Sequence, residues 1–135
     1  HPTGSPEDVW SIPKGGAEED ETSMDAALRE LKEETNFDIN ADYVRDEAIE
    51  YFEYIGIFPY GSRDKKLKAH VMFVNQSLSK LDLGLKCTTK IDGSDELECD
   101  RVEWKDLSFA LRCLHHTQVK ALTKVLKTLI RKVEG

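Results

Sequence analysis

The segment from Gly15 to Phe37 constrains this chain more than any other. Lys14-Gly15-Gly16 reads as a loop, and the acidic residues Glu18, Glu19, Asp20 and Glu21 follow it. Thr22, with Asp25 three residues on, is a helix N-cap signal, and Ser23 offers another. Met24, Ala27, Leu28 and Leu31 then recur at helical spacing. Asn36, which tolerates left-handed backbone, predicts the stop. Such a helix carries Glu30 and Glu34 one turn apart on one face, with Glu33 beside them. Like charges at that spacing cost about 0.2–0.5 kcal/mol per pair. A helix that accepts the cost is suited to hold something positive. Hard divalent cations take several carboxylate oxygens, and Mg²⁺ adds waters and substrate phosphates to its shell. Arg29, four residues before Glu33, is placed to hold one carboxylate, and Glu21 is placed for a similar part. A merely solvated charged face would have the same composition, so the full spacing has to decide. Gly-x5-Glu-x7-Arg-Glu-Leu-x-Glu-Glu-x-x-Phe fixes enough positions that a chance match is on the order of one in a million per window.

The rest of the chain sets bounds on class. Its 135 residues suit one domain, 1–135, large enough to bury a core. No apolar run approaches the length of a membrane helix, and His1 to Trp10 holds no apolar signal segment. Cys87, Cys99 and Cys113 are an odd, widely spaced set, which favours a reducing compartment and a cytoplasmic location. The net charge of −7 argues against a nucleic-acid surface that works by bulk attraction. His1 opens the chain without methionine and straight into a turn-rich stretch, so an upstream strand is expected to be missing from this numbering.

Strand signals run from Glu47 to Phe58, then through Lys65–Lys68 into His70–Val74, with Phe58-Pro59-Tyr60-Gly61-Ser62 as the turn between them. Ser77 to Asp95 reads as mostly loop. Leu97 to Trp104 is expected to be another strand and Asp106 to Leu114 a short helix. Gln118 to Val133 predicts an amphipathic helix with Val119, Leu122, Val125, Leu126, Leu129, Ile130 and Val133 on its buried face. Strands interleaved with helices indicate a mixed α/β domain.

At Gly15–Phe37 the chain resembles the Nudix hydrolase family, whose signature is Gly-x5-Glu-x7-Arg-Glu-apolar-x-Glu-Glu-x-Gly-apolar. The match fails only at the last glycine, which is Asn36 here, the usual substitute where left-handed backbone is needed. Trp10-Ser11-Ile12-Pro13-Lys14-Gly15 also looks like the family's lead-in. The resemblance implies an α/β/α sandwich with a mixed sheet and a loop–helix–loop catalytic element. It implies a Mg²⁺-dependent pyrophosphohydrolase, with Mn²⁺ as an alternative cofactor. Carried over by position, Glu30, Glu34 and the Gly15 carbonyl match metal ligands. Glu33 matches a ligand or a water-activating base, and Arg29 and Glu21 match orienting residues. Glu98, six residues before Trp104, resembles the later glutamate that family RNA pyrophosphohydrolases add, so it joins the expected catalytic and metal-binding set.

Substrate expectations follow from the same resemblance. Tyr54 lies seventeen residues after Phe37, where a tyrosine marks diadenosine polyphosphate hydrolases. An ordinary strand aromatic is the bland alternative. The proline of ADP-ribose hydrolases is absent, since residue 52 is Phe. Lys14, Lys66 and Lys68, with Lys65 and Arg63, are placed to receive outer phosphates, lysine being a flexible point charge. A lone His70 in a Val/Met/Phe strand is read as packing. The expected partner is therefore a small nucleotide, best a dinucleoside polyphosphate such as diadenosine tetraphosphate. The 5′ end of an RNA or a diphosphoinositol polyphosphate are rivals, and a non-catalytic nucleotide-binding module is the alternative of another class. No membrane partner and no DNA-binding domain are expected, and the sequence leaves the oligomeric state open.

Overall fold

A computed structural model of the chain describes residues 1–40, 49–75, 78 and 83–134. Helix α1 spans Ser23–Thr35, with Thr22 as N-cap accepting from the Asp25 N–H at 3.1 Å. Asn36 closes it in the left-handed conformation (φ 65°), donating its N–H to the Lys32 carbonyl at 2.8 Å. Both ends lie where the local signals put them, because each cap depends only on neighbouring residues.

Strands β1 (Ile49–Tyr60) and β2 (Ser62–Val74) pair antiparallel, with register irregularities at three places along the ladder. The expected five-residue turn is shorter than its sequence suggested. Phe58 and Pro59 stay in the ladder opposite Leu67 and Lys66, and Gly61 (φ 68°) makes the reversal. The expected strand start at Glu47 lies outside the described residues, as does part of the Ser77–Asp95 loop. Residues 83–89 of that loop have no regular structure.

Along β2 the side chains alternate between two faces. Met72 and Val74 pack with Leu31 of α1 around Phe37 and Leu78. Leu67, Ala69 and Val71 face the other way, against Ala121 and Val125 of helix α3 (Val119–Glu134), together with Ile55 and Phe58. The hairpin therefore lies between a helix on each face. This is the α/β/α layering expected, although the described ladder is antiparallel and, among the described residues, parallel pairing is confined to the bridge Trp10–Leu114. A short helix α2 (Leu107–Cys113) is capped by the Asp106 carboxylate, and a 3-10 turn over His116–Gln118 leads into α3.

Two expectations need correction. Leu97–Trp104 is not a strand: Leu97 and Cys99 make isolated bridges to Lys90 and Pro2, and Trp104 is 48% exposed. Acidic residues crowd this stretch, and the segments beside it, residues 89–91 and 1–3, pair with it only at these isolated bridges among the described residues. The expected apolar stripe of α3 turns inward only in its first half, where Val119, Leu122, Val125 and Leu126 are half-buried and Val125 packs against the core. Ala121 and Thr128 are buried, whereas Leu129, Ile130 and Val133 are exposed. The small Ala121 side chain lets the helix approach Ile55 and Ala69 closely, and that approach sets which face turns inward.

Candidate active site

Glycine is required at position 15. A Cβ there would fall inside the carboxylate of Glu30, which lies against the loop backbone. The preceding residue, Lys14, donates its backbone N–H to Glu34 Oε2 at 2.7 Å. The Lys14–Gly15 loop thus touches both of the carboxylates that α1 places one turn apart.

Arg29 ties the remaining acids together. Its Nε and Nη2 bind the two Glu21 oxygens at 2.7 and 3.0 Å, a two-pronged pairing that suits a guanidinium. Nη1 donates to Glu30 Oε1 at 2.9 Å and to Glu33 Oε2 at 3.1 Å, and Nη2 also reaches the Gly16 carbonyl at 2.8 Å. The Arg29 hydrogen bond, then the Glu18 N–H, hold Glu21 below the usual carboxylate range. Glu21 in turn pushes the Arg29 pKa upward, so its charge is permanent.

Glu98 reaches the same cluster by a defined route. Thr88 donates both its N–H and its hydroxyl to the Glu33 carbonyl, at 2.7 and 2.8 Å, and the Lys86 N–H binds the Thr35 carbonyl at 3.0 Å. The last carbonyls of a helix have no partner within it, and this loop supplies partners. Thr89 then accepts the Glu98 N–H on its carbonyl at 2.9 Å, and its hydroxyl donates to Glu98 Oε2 at 3.2 Å. From the other side, the Thr3 N–H donates to the Glu98 carbonyl at 2.9 Å.

The cluster is electrostatically tense. Burial pushes the Glu34 carboxyl up to about 7, against the Lys14 N–H, with the charges of Glu30 and Glu98 adding to the rise. Glu34 is only 9% exposed. Burial also raises Glu30, against the Arg29 hydrogen bond, with Glu33 and Glu98 adding. The neighbouring Cys99 thiol is pushed up to about 12, first by burial and then by the Glu34 charge, so it is a poor nucleophile.

Among the described residues no three His, Cys, Asp or Glu side chains already form a closed metal cage. The donor set nevertheless fits a hard divalent cation. Glu30, Glu34 and Glu98 supply buried or mutually repelling oxygens, and the missing side chain of Gly15 lets the Glu30 carboxylate lie against the loop backbone.

The other expected residues divide by location. Lys14 stands at the site, its Nζ 5.6 Å from the centre of the Tyr60 ring. Tyr54 lies directly opposite His70, with ring centres 5.1 Å apart, and Ile57 and Pro59 lie opposite Lys68 and Lys66. Directly opposed residues share a face, so Tyr54, Lys66 and Lys68 all lie on the face of the hairpin that receives α1. Tyr54 is 46% exposed, and both lysines are exposed. The side chain of Arg63 lies outside the described set. His70 packs as expected: burial lowers its pKa, its Nε2 is 3.4 Å from Ser23 Oγ, and its buried Nδ1 has no hydrogen-bond partner among the described residues. Sequence reasoning missed Gly16, Thr3, Thr88 and Thr89. The last three act through chain segments distant in sequence, and no local pattern marks such contacts.

The NUDIX domain family model matches residues 1–125, nearly the whole chain. The chain belongs to the NUDIX domain family. Membership supports a hydrolase of phosphoric anhydride bonds, the class that the resemblance at Gly15–Phe37 implied. This NUDIX domain is also 26% identical, over 117 residues and 87% of its length, to two curated proteins of Saccharomyces cerevisiae. They are the mRNA-decapping enzyme subunit 2 of strain YJM789 and the m7GpppN-mRNA hydrolase of strain S288c. The chain spans only 10% of the length of each. No solved structure matches it significantly. No described helix is long and apolar enough to cross a membrane.

Proposed function

We propose that this NUDIX domain hydrolyses a polyphosphate bridge that joins a nucleoside to a second group. The observation that carries the proposal is the gathering of Glu30, Glu33, Glu34 and Glu98 around one arginine and one obligatory glycine. Glu30, Glu34, Glu98 and the Gly15 carbonyl would hold Mg²⁺, or Mn²⁺ in its place. When bound, such an ion neutralises phosphate charge and acidifies a bound water. Arg29 fixes the Glu33 carboxylate through Oε2. Among the described residues Oε1 has no donor, so it is free to accept the proton of an attacking water. The Lys14 N–H holds Glu34 by one oxygen and keeps the other available. Glu21 orients Arg29 and takes no part in proton movement.

The substrate reading draws on two supports. Tyr54, Lys66 and Lys68 share one exposed face, an aromatic plane beside two point charges, which suits a base and outer phosphates. The curated relatives include an m7GpppN-mRNA hydrolase. A dinucleoside polyphosphate and a capped RNA end share one feature, a polyphosphate bridge between two nucleosides. The proposed substrate is of that type, with diadenosine tetraphosphate as its simplest form and the RNA 5′ end as the second reading, favoured by the relatives.

The test offers diadenosine tetraphosphate, m7GpppN-capped RNA, triphosphate-ended RNA, diphosphoinositol pentakisphosphate and ADP-ribose, each with Mg²⁺ and with EDTA. A Glu34→Gln variant runs beside them, and products are separated by ion exchange. The proposal expects cleavage of a nucleoside-bridging substrate that needs Mg²⁺ and falls at least about 100-fold in the variant. Cleavage of diphosphoinositol phosphate alone would overturn the substrate class. Nucleotide binding without any cleavage would reduce the domain to a binding module.

A further inference from the structure

On the face of the hairpin opposite α1, an open pocket of about 400 Å³ lies between Phe58 of β1 and the first half of α3. Its walls are Val119, Lys120, Thr123, Lys124 and Lys127. Three of these are lysines, and none of the lining residues is acidic. Lys32, Lys90 and Lys105 pair with carboxylates, whereas Lys120, Lys124 and Lys127 have no carboxylate within 4 Å among the described residues. That is unexpected in a chain with 26 acidic residues against 19 basic ones. The lysines follow one another at four and three residues, so they stand on one side of the helix over about 10 Å. At that spacing they repel, and Lys120 sits in the first helical turn, where a cation opposes the helix dipole. Helix stability therefore does not account for them. Gly56 helps to place one of them. It has a positive φ of 147°, and a Cβ there would approach Lys124 Nζ to 3.2 Å. The ammonium group is thus brought down against bare backbone at the pocket edge.

We propose that this pocket is a second anion site, which takes a short chain of linked phosphates. Three lysines that follow one another along one side of a helix match an anion whose charges are themselves in a row, and lysine binds phosphate as a movable point charge. The site is separate from the carboxylate cluster, because α3 and α1 cover opposite faces of the hairpin. Its occupant does not need Mg²⁺, since the positive charge is supplied by the lysines. Free polyphosphate and the phosphate tail of a nucleotide would present the same chemistry here.

The test is calorimetric titration of the whole chain in EDTA, with inorganic tripolyphosphate, ATP, orthophosphate and a short single-stranded oligonucleotide without terminal phosphate. The wild-type protein should bind tripolyphosphate, and orthophosphate at least about tenfold more weakly. Lys124→Gln should weaken tripolyphosphate about tenfold, and the Lys120→Gln/Lys124→Gln/Lys127→Gln variant should abolish binding. All three positions are exposed, and circular dichroism checks that the fold survives. Glu34→Gln should bind as the wild type does, which keeps this result independent of the hydrolase reading. ATP binding as tightly as tripolyphosphate supports recognition of the phosphate chain; binding of ATP alone would mean that the base is read instead. No binding by wild type, equal binding by the lysine variants, loss in Glu34→Gln, or tighter binding of the oligonucleotide would each overturn the proposal.

Discussion

Replacing Glu34 by glutamine separates the two demands on that residue. The carboxyl is buried and titrates at about 7, against about 4.5 for the group in an unfolded chain. A carboxyl with a raised folded pKa keeps its proton more tightly in the native state. Stability is therefore full below pH 4.5 and declines as pH rises toward 7, where the charge must be carried in a buried place. A displacement of this size corresponds to about 3 kcal/mol at pH 8, as an upper figure. Glutamine has the same shape, is neutral, and can still accept the Lys14 N–H through its carbonyl oxygen. In EDTA the variant should match the wild type at pH 5 and exceed it at pH 8. For a domain of this size the gain at pH 8 is a rise in Tm of roughly 10 °C. Mg²⁺ should stabilise the wild type more at pH 8 than at pH 5, because a metal ligand must be deprotonated. Thermal unfolding followed by circular dichroism at both pH values reads all of this. A variant no more stable than wild type at pH 8, or equally shifted at both pH values, would refute the argument from burial.

Three further outcomes follow from the geometry. Arg29→Ala removes the contacts to Glu21, Glu30, Glu33 and Gly16 at once, so kcat should fall by about 100-fold or more, read by initial rates at saturating substrate. Gly15→Ala sets a methyl group against the Glu30 carboxylate, and the Mg²⁺ concentration for half-maximal rate should rise about tenfold or more while the fold persists. Asn36→Ala forces a Cβ without polar compensation into left-handed backbone and loses the amide bond to the Gly84 carbonyl at 3.1 Å. It should cost about 1–2 kcal/mol in urea unfolding, with Asn36→Gly costing less.

The legible parts of this fold are those fixed by neighbouring residues. Thr22 and Asn36 mark both ends of α1, and the spacing of Glu30, Glu33 and Glu34 places them on it without any tertiary information. The four-residue spacing to Glu33 marks Arg29 as a clamp, and the structure adds Glu30, Glu21 and Gly16 to what it holds. The illegible parts depend on packing. Leu97–Trp104 alternates like a strand, but the short segments that flank it, residues 1–3 and 89–91, give it only isolated bridges and not a continuous ladder. The exposed Ile130 and the buried Thr128 of α3 reverse what hydropathy implies, because the close seat of Ala121 on Ile55 and Ala69 sets the rotation of the helix. The route from Thr88 to Glu98 was invisible for the same reason, since it serves the end of a helix more than fifty residues earlier in the chain.

That route also decides where the domain can change without harm. Glu98 is held at the base of a small loop, by Thr89 on one side and Thr3 on the other, while residues 91–96 form a tip wholly exposed to solvent. Lengthening a loop costs little once its ends are pinned. The tip is thus an interchangeable part mounted on a fixed socket. Evolution, or a designer, can graft a longer finger there, with the glutamate at its base left in place.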